Sequence, residues 1–194
     1  MTVRNISLMA VALLLTVTAV ILLPSVYISA DSISPEPAAE EYHCADAGCV
    51  VEAQTDGQCA EYAAAYVMRY LGEDISGEEL RPQLKRAFGF VSPNSVAKAF
   101  AKQGCEARAY HGDLDTLKAR LSDGIPVIVF ITGQGGAHYA VVTGFDAEYI
   151  YLADPVGESS GSAGYNRKIG IGEFEKLWKT ATLIPDNTYI AVGK

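Results

Sequence analysis

Residues 138–155 read HYAVVTGFDAEYIYLADP, and their pattern decides the fold. Two runs rich in β-branched and aromatic residues, HYAVVTGF and YIYLADP, flank the tight turn Asp146-Ala147-Glu148. Just upstream, PVIVFIT from Pro126 is a continuous apolar run fit for a strand buried on both faces. Gly133-Gln134-Gly135-Gly136 makes the turn between. The three runs predict an antiparallel meander. His138 starts the second strand, and Asp154 ends the third, followed by Pro155. In a hairpin the start of one strand lies opposite the end of its neighbour. His138 and Asp154 are therefore predicted neighbours, although they stand 16 positions apart. That juxtaposes a base and a carboxylate able to orient it. Taken singly, each has a plain structural reading: a satisfied strand-edge histidine, and a turn carboxylate before proline.

Working outward toward the N-terminus, residues 54–71 read QTDGQCAEYAAAYVMRYL. Good helix formers follow Cys59, with apolar residues at Ala60, Ala63, Ala64, Val67, Met68 and Leu71. That spacing predicts one buried helical face. A cysteine where a loop turns into a helix meets unpaired backbone N–H groups and the positive end of the helix dipole, which favour thiolate over thiol. Gln54, five residues earlier, offers a side-chain amide to the same spot. Read alone, Cys59 is equally a small buried core residue. Glu61 would oppose a thiolate if it faced Cys59, so it is expected to point to solvent.

Local signals organise the chain between these two stretches. Gly72 stops the first helix, and Ser76-Gly77-Glu78-Glu79 matches a capping box whose helix is cut short by Pro82. Ser92-Pro93 opens a helix through Val96, Ala99 and Phe100 to Gly104. A short strand is expected over 106–110. Asp113 then caps a helix that turns Leu114, Leu117 and Leu121 inward and stops at Gly124. His111 reads as a surface or capping histidine. In the tail, 158–164 (ESSGSAG) is expected to be a flexible loop rimming a cleft, 172–180 a helix with Trp178 in the core, and 188–192 a last strand.

At 194 residues and 49% hydrophobic, the chain has room for one compact domain with an N-terminal appendage. A net charge of −8 disfavours nucleic acid and anionic lipid headgroups as partners. Between Arg4 and Asp31 lie 26 uncharged residues, with an unbroken apolar run from Ile6 to Leu23. A signal peptide has an apolar core of about 7–15 residues and a spanning helix about 18 or more, so residues 1–30 are a signal peptide or a membrane anchor. Either places the remainder outside the cytoplasm, secreted or anchored, with Arg4 favouring an inside N-terminus. Residues 31–42 form an acidic linker expected to be disordered. Residues 43–194 are the domain. In an oxidising compartment Cys44 and Cys49 fit a local disulfide, and Cys105 is an alternative partner for either. A zinc site of His43, Cys44 and Cys49 lacks a second cluster at ligand spacing. No metal and no cofactor are expected.

Cysteine, histidine and aspartate in that order, with a glutamine upstream of the cysteine, resemble a papain-like cysteine peptidase. More closely, the chain resembles the double-glycine leader peptidases of bacteriocin exporters and their stand-alone exported relatives. The resemblance rests on Gln54 and Cys59 with the helix behind it, on SPNSVAKAFAKQG, on GDLDTLKARLSDGIPVIVFI, and above all on HYAVVTGFDAEYIYLADP. It covers roughly residues 51–193. It implies an α+β fold, a helical N-terminal part packed on an antiparallel sheet. It implies Cys59 as nucleophile, His138 as base, Asp154 as its orienter, and the Cys59 N–H with the Gln54 amide as oxyanion hole. Where the family pattern has glycine after the nucleophile this chain has Ala60, which leaves the N–H usable; Gln58, next to the cysteine, would sit differently. The implied function is an exported, monomeric cysteine peptidase acting on a peptide or protein substrate. Two alternatives use the same residues: a peptide-binding module with a vestigial triad, and a transglutaminase-like acyl transferase.

Overall fold

The structure, a computed structural model, describes residues 9, 11–14, 27–34, 39–44, 49–87, 89–133, 135–159, 164–180 and 182–193. Most of the apolar run from Ile6 to Leu23 lies outside these, as do Gln134, residues 45–48 between the first two cysteines, and residues 160–163 of the expected rim loop. Among the described residues no helix is long and apolar enough to cross a membrane.

The predicted meander is the centre of the sheet. Strands β6 (Val127–Gly133), β7 (Gly136–Phe145) and β8 (Tyr149–Ala153) pair antiparallel in sequence order. The other strands are β1 (Ser29–Ala30), β2 (Tyr42–His43), β3 (Arg86–Ala87), β4 (Phe90–Val91), β5 (Glu106–His111), β9 (Arg167–Gly170) and β10 (Thr188–Gly193). The main sheet runs β1-β5-β10-β6-β7-β8-β9, with β2 added to the far end of β7. All of its pairings are antiparallel except β1 with β5. β3 and β4 form a separate hairpin.

Both faces of the central strands are covered, which is why 126–132 reads as a continuous apolar run rather than an alternating one. Ile128, Phe130, Tyr139 and Val141 face one core, shared with α1 (Cys59–Tyr70) and α3 (Pro93–Ala101). Val127, Val129, Ile131, Ala140 and Val142 face the other, shared with α4 (Leu114–Ser122) and α5 (Ile171–Leu177). The caps act as their chemistry requires: Ser76 and Glu79 close a capping box on α2 (Gly77–Leu80), followed by a 3-10 turn at Arg81–Gln83. Ser92 caps α3 with Pro93 in its first turn, and Asp113 caps α4. Trp178 is a core residue, its indole N–H donating to the Thr188 carbonyl.

Two expectations change. First, α1 is buried from Ala60 to Met68 on nearly every side rather than on one face, because α2 and α3 cover what the sheet leaves open. Its alanines at 63, 64 and 65 are fully enclosed, small enough to bring the helix close to β6 and β7. Second, the segment after the N-terminal run does not begin as a free tether. Ser29 and Ala30 pair with Tyr110 and His111, Ile28 joins the core, and the Asp31 N–H donates to the His111 carbonyl. The Asp31 carboxylate is closed off from solvent on Arg120. Tyr42, assigned to the linker, is in β2 and pairs with Phe145. Unpaired edges of β5 and β7 offer these short strands their hydrogen bonds, which composition does not show.

Candidate active site

Cys59 is the first residue of α1, and Gln58 caps the helix with backbone only. Gly57, at φ +70°, turns the chain into the helix in a conformation that favours glycine. The Gly57 carbonyl accepts from Arg86 Nη2 at 3.1 Å. The same nitrogen is 2.5 Å from Glu61 Oε1, so Glu61 does not point to solvent: its side chain is fully enclosed and ion-paired. The pairing removes the conflict that an uncompensated carboxylate two residues from Cys59 would create.

The two glutamines separate. Gln54 lines the same cleft as Cys59, His138 and Asp154, with its amide oxygen buried and without a hydrogen-bond partner among the described residues. The Gln54 backbone N–H donates to the Pro155 carbonyl at 2.8 Å, stitching the loop before Cys59 to the residue after Asp154. Gln58 turns away, its amide donating to Thr55 and to Glu78 Oε1.

His138 and Asp154 meet as the hairpin predicts: His138 Nε2 donates to Asp154 Oδ1 at 2.8 Å, with both residues buried. A register shift makes this possible. Val141 and Val142 pair with Ala153 and Leu152, while Gly144 and Phe145 pair with Tyr151 and Ile150, leaving Thr143 as a bulge. Continuing the register one step sets Asp154 opposite Ala140, on the face of His138. Without the bulge Asp154 would stand opposite Val141 and point to the other face.

Cys59 lines the cleft beside the imidazole, and with Nε2 on Asp154 the nitrogen left for a thiol is Nδ1. Burial pushes the His138 pKa down, but the hydrogen bonds and charges of Asp154 and Cys59 outweigh it and raise it to about 9. Both interactions favour the protonated ring. Burial acts on Asp154 in the opposite sense, raising its pKa. The bond and charge of His138, the Val156 N–H and Arg167 prevail and hold the carboxyl at about 2.

Two residues in this constellation escape sequence reading. Arg167 Nη1 donates to Asp154 Oδ2 at 2.9 Å. Asn166 grips the Asp154 backbone, accepting from its N–H at 2.8 Å and donating to its carbonyl at 2.9 Å. Both come from β9 and its approach. The sequence signal for that strand is a single alternation, polar Lys168 before apolar Ile169, after a Ser/Gly-rich stretch.

The cleft holds about 770 Å³. A cavity of about 810 Å³ lies elsewhere, between the β5–β10 edge and α4, and holds Cys105 with no histidine in its lining. Chemistry, not size, picks out the first. Cys44 and Cys105 are not joined to one another by a disulfide. Burial pushes Cys44 up to about 12, against a hydrogen bond with Tyr70. Among the described residues no group of three His, Cys, Asp or Glu side chains is arranged to hold a metal ion.

Comparison with known proteins identifies the family and the fold. A family model described as Peptidase C39 family matches residues 49–189. The lactococcin-G-processing and transport ATP-binding protein LagD of Lactococcus lactis subsp. lactis is 27% identical over 137 residues, which are 70% of this chain and 18% of that protein. The chain thus spans less than a fifth of that relative. A double glycine motif protease from an AMS/PCAT transporter, solved in complex with the leader peptide, superposes with TM-score 0.58 at 21% identity, covering 76% of this chain and 92% of that one. A putative C39-like peptidase from Bacillus anthracis gives 0.62 at 14% identity, covering 80% and 98%. At such identities these structures carry the fold: mixed α+β and papain-like.

Proposed function

The chain belongs to the Peptidase C39 family of cysteine peptidases, and we propose that it hydrolyses peptide bonds through Cys59, His138 and Asp154. The observation that carries this reading is the relay itself: a helix-opening cysteine sharing one cleft with an imidazole whose Nε2 is 2.8 Å from a buried carboxylate. The Cys59 thiolate attacks the carbonyl carbon, and the carbonyl oxygen takes up negative charge. The Cys59 N–H and the Gln54 amide receive that charge, each such donor contributing about 2.7–4 kcal/mol to the transition state. His138 then gives its proton to the leaving amine, and a thioester on Cys59 remains. With the amine gone, His138 takes a proton from water. The hydroxide adds to the thioester carbon, the C–S bond breaks, the acid product leaves, and Cys59 is restored as a thiolate beside the protonated His138. Asp154 keeps Nε2–H fixed, so that Nδ1 does the exchange.

A peptide as substrate is supported by the leader peptide held by the AMS/PCAT protease. Acyl transfer uses the same thioester with an amine in place of water. Export is supported by the uncharged run between Arg4 and Asp31. Retention at the membrane, rather than release, is supported by Ile28 in the core and Ser29–Ala30 in the sheet. A cut after Ala30 would remove both.

The test compares the full chain with Cys59→Ala against a mixed peptide library under mild reductant. New amine released by the parent and absent with Cys59→Ala is the expected result. If neither releases amine while both retain a bound peptide, the chain is a peptide-binding module.

A further inference from the structure

Asp154 has two carboxylate oxygens, and His138 uses only one. Oδ1 takes His138 and, at 3.0 Å, the Val156 N–H; Oδ2 takes Arg167. Arg167 pairs with Leu152 in the β8–β9 register, two residues before Asp154, so the two side chains are diagonal neighbours on one face. Asn166, the preceding residue, holds the Asp154 backbone from both sides and donates to the Glu158 carbonyl. One short strand therefore delivers consecutive residues that fix an aspartate at backbone and side chain together.

We propose that Arg167 is a positioning residue of this site: it locks the outer oxygen of Asp154 and takes a share of that carboxylate's charge away from His138. The proposal rests on Cys59, His138 and Asp154 being the working set. A buried Asp–His pair left to itself binds the proton strongly, yet hydrolysis needs an imidazolium that surrenders it to an amine. A cation on the far oxygen lowers that hold without breaking the hydrogen bond that orients the ring. The charged groups around His138 are few. Cys59 comes from α1, Asp154 follows β8, Arg167 comes from β9, and Glu173 of α5 lines the same cleft. The partners of this end of β7 on β6 are Ile131, Thr132 and Gly133, none charged. Among the described residues lining the cleft, Arg167 is the one permanent cation. Its side chain is 36% exposed, so solvent screens part of its field.

The test is an NMR titration of the His138 imidazole in the isotope-labelled full chain, with the resonance assigned by its loss in His138→Gln. Arg167→Gln is expected to raise the His138 midpoint by about 0.5–1 unit, as for two charges held on opposite oxygens of one carboxylate at an effective dielectric between that of a surface pair and that of water. Arg167→Met, which keeps the apolar stem, is expected to do the same. Arg167→Lys is expected to return the midpoint to within about 0.3 unit of the parent, as any nearby cation restores most of the field. A midpoint that stays put or falls in folded Gln and Met variants overturns the proposal. A role confined to holding the fold would move the melting temperature and leave the midpoint alone. The titration needs no substrate, so it stands apart from the peptide-release test of the function itself.

Discussion

Replacing Asp31 by asparagine keeps the shape of the side chain and removes its charge. The carboxylate accepts from Arg120 Nε and Nη2, both at 2.8 Å, from Tyr189 Oη at 2.7 Å and from the Ile33 N–H at 3.0 Å. The Asp31 side chain has no solvent exposure, while Arg120 keeps 23%. Burial pushes the Asp31 carboxyl up, but its bonds to Arg120, Tyr189 and Ile33 win and hold it below its ordinary value. An asparagine turns an N–H₂ toward one arm of the guanidinium, donor against donor, and leaves that arm unpaired. Breaking a buried ion pair costs about 3–5 kcal/mol, and the partial exposure of Arg120 lets water recover some of it. The expected loss is about 2–3 kcal/mol, or about 5–10 °C in melting temperature for a domain of this size. Thermal and urea unfolding of the full chain measure it. Arg120→Ala should lose a similar amount, and the double variant little more, since both remove one interaction. A loss below about 0.5 kcal/mol for Asp31→Asn would refute the reasoning: the linker from Asp31 would then be a free tether from its first residue, as its composition suggests.

Three further outcomes follow from the same geometry. A Cβ on Gly133 would lie 2.9 Å from His138 Cβ and 3.1 Å from its Cγ, so Gly133→Ala must displace the ring. It is expected to cut kcat/KM by about tenfold to a hundredfold with little change in melting temperature, and unchanged activity would show that the ring position is not critical. Arg86→Ala strands the enclosed Glu61 carboxylate and should cost about 3 kcal/mol in urea unfolding, most of it regained in Arg86→Ala with Glu61→Gln; no regain would mean that Arg86 acts by packing. The His138 pKa is raised from its ordinary 6.5 to about 9, so its contribution to stability is complete below pH 6.5 and is lost as pH rises through 9, by at most about 3 kcal/mol. Asp154, lowered from 3.8 to about 2, behaves oppositely: its contribution is complete above pH 3.8 and lost as pH falls through 2. Urea midpoints at pH 6 and pH 9.5 should therefore differ in the parent and converge in His138→Gln; a difference that persists there would assign the pH effect to other groups.

What could be read from the sequence was local. The capping box at Ser76 and Glu79, the Ser92 and Asp113 caps and the glycine stops involve residues three or four apart, and each formed where its chemistry demanded. The burial of Glu61 depends on Arg86, 25 residues away on a hairpin too short to show a period, so periodicity had no means of anticipating it. Arg167 was hidden for the same reason: four residues of β9 give too few alternations to separate a strand from a solvated loop. The case of His138 and Asp154 is subtler. Strand order made them neighbours along the hairpin, and that inference was sound. Facing depends on parity, however, and parity on a single extra residue. A regular hairpin from the Phe145–Ile150 pair would count Asp154 onto Val141 and turn its carboxylate away from the ring. Thr143, which carries the correction, is a β-branched residue that sits in an apolar run like any other strand residue. The meeting of base and carboxylate thus comes from the pairing partner of the strand as much as from the strand itself. Deleting Thr143 should therefore close the bulge with Val142 still opposite Leu152 and Asp154 still one step on, opposite Ala140, so peptide release should survive it; loss of release in a folded deletion variant would show that the local twist of the bulge, and not the register alone, sets the pair.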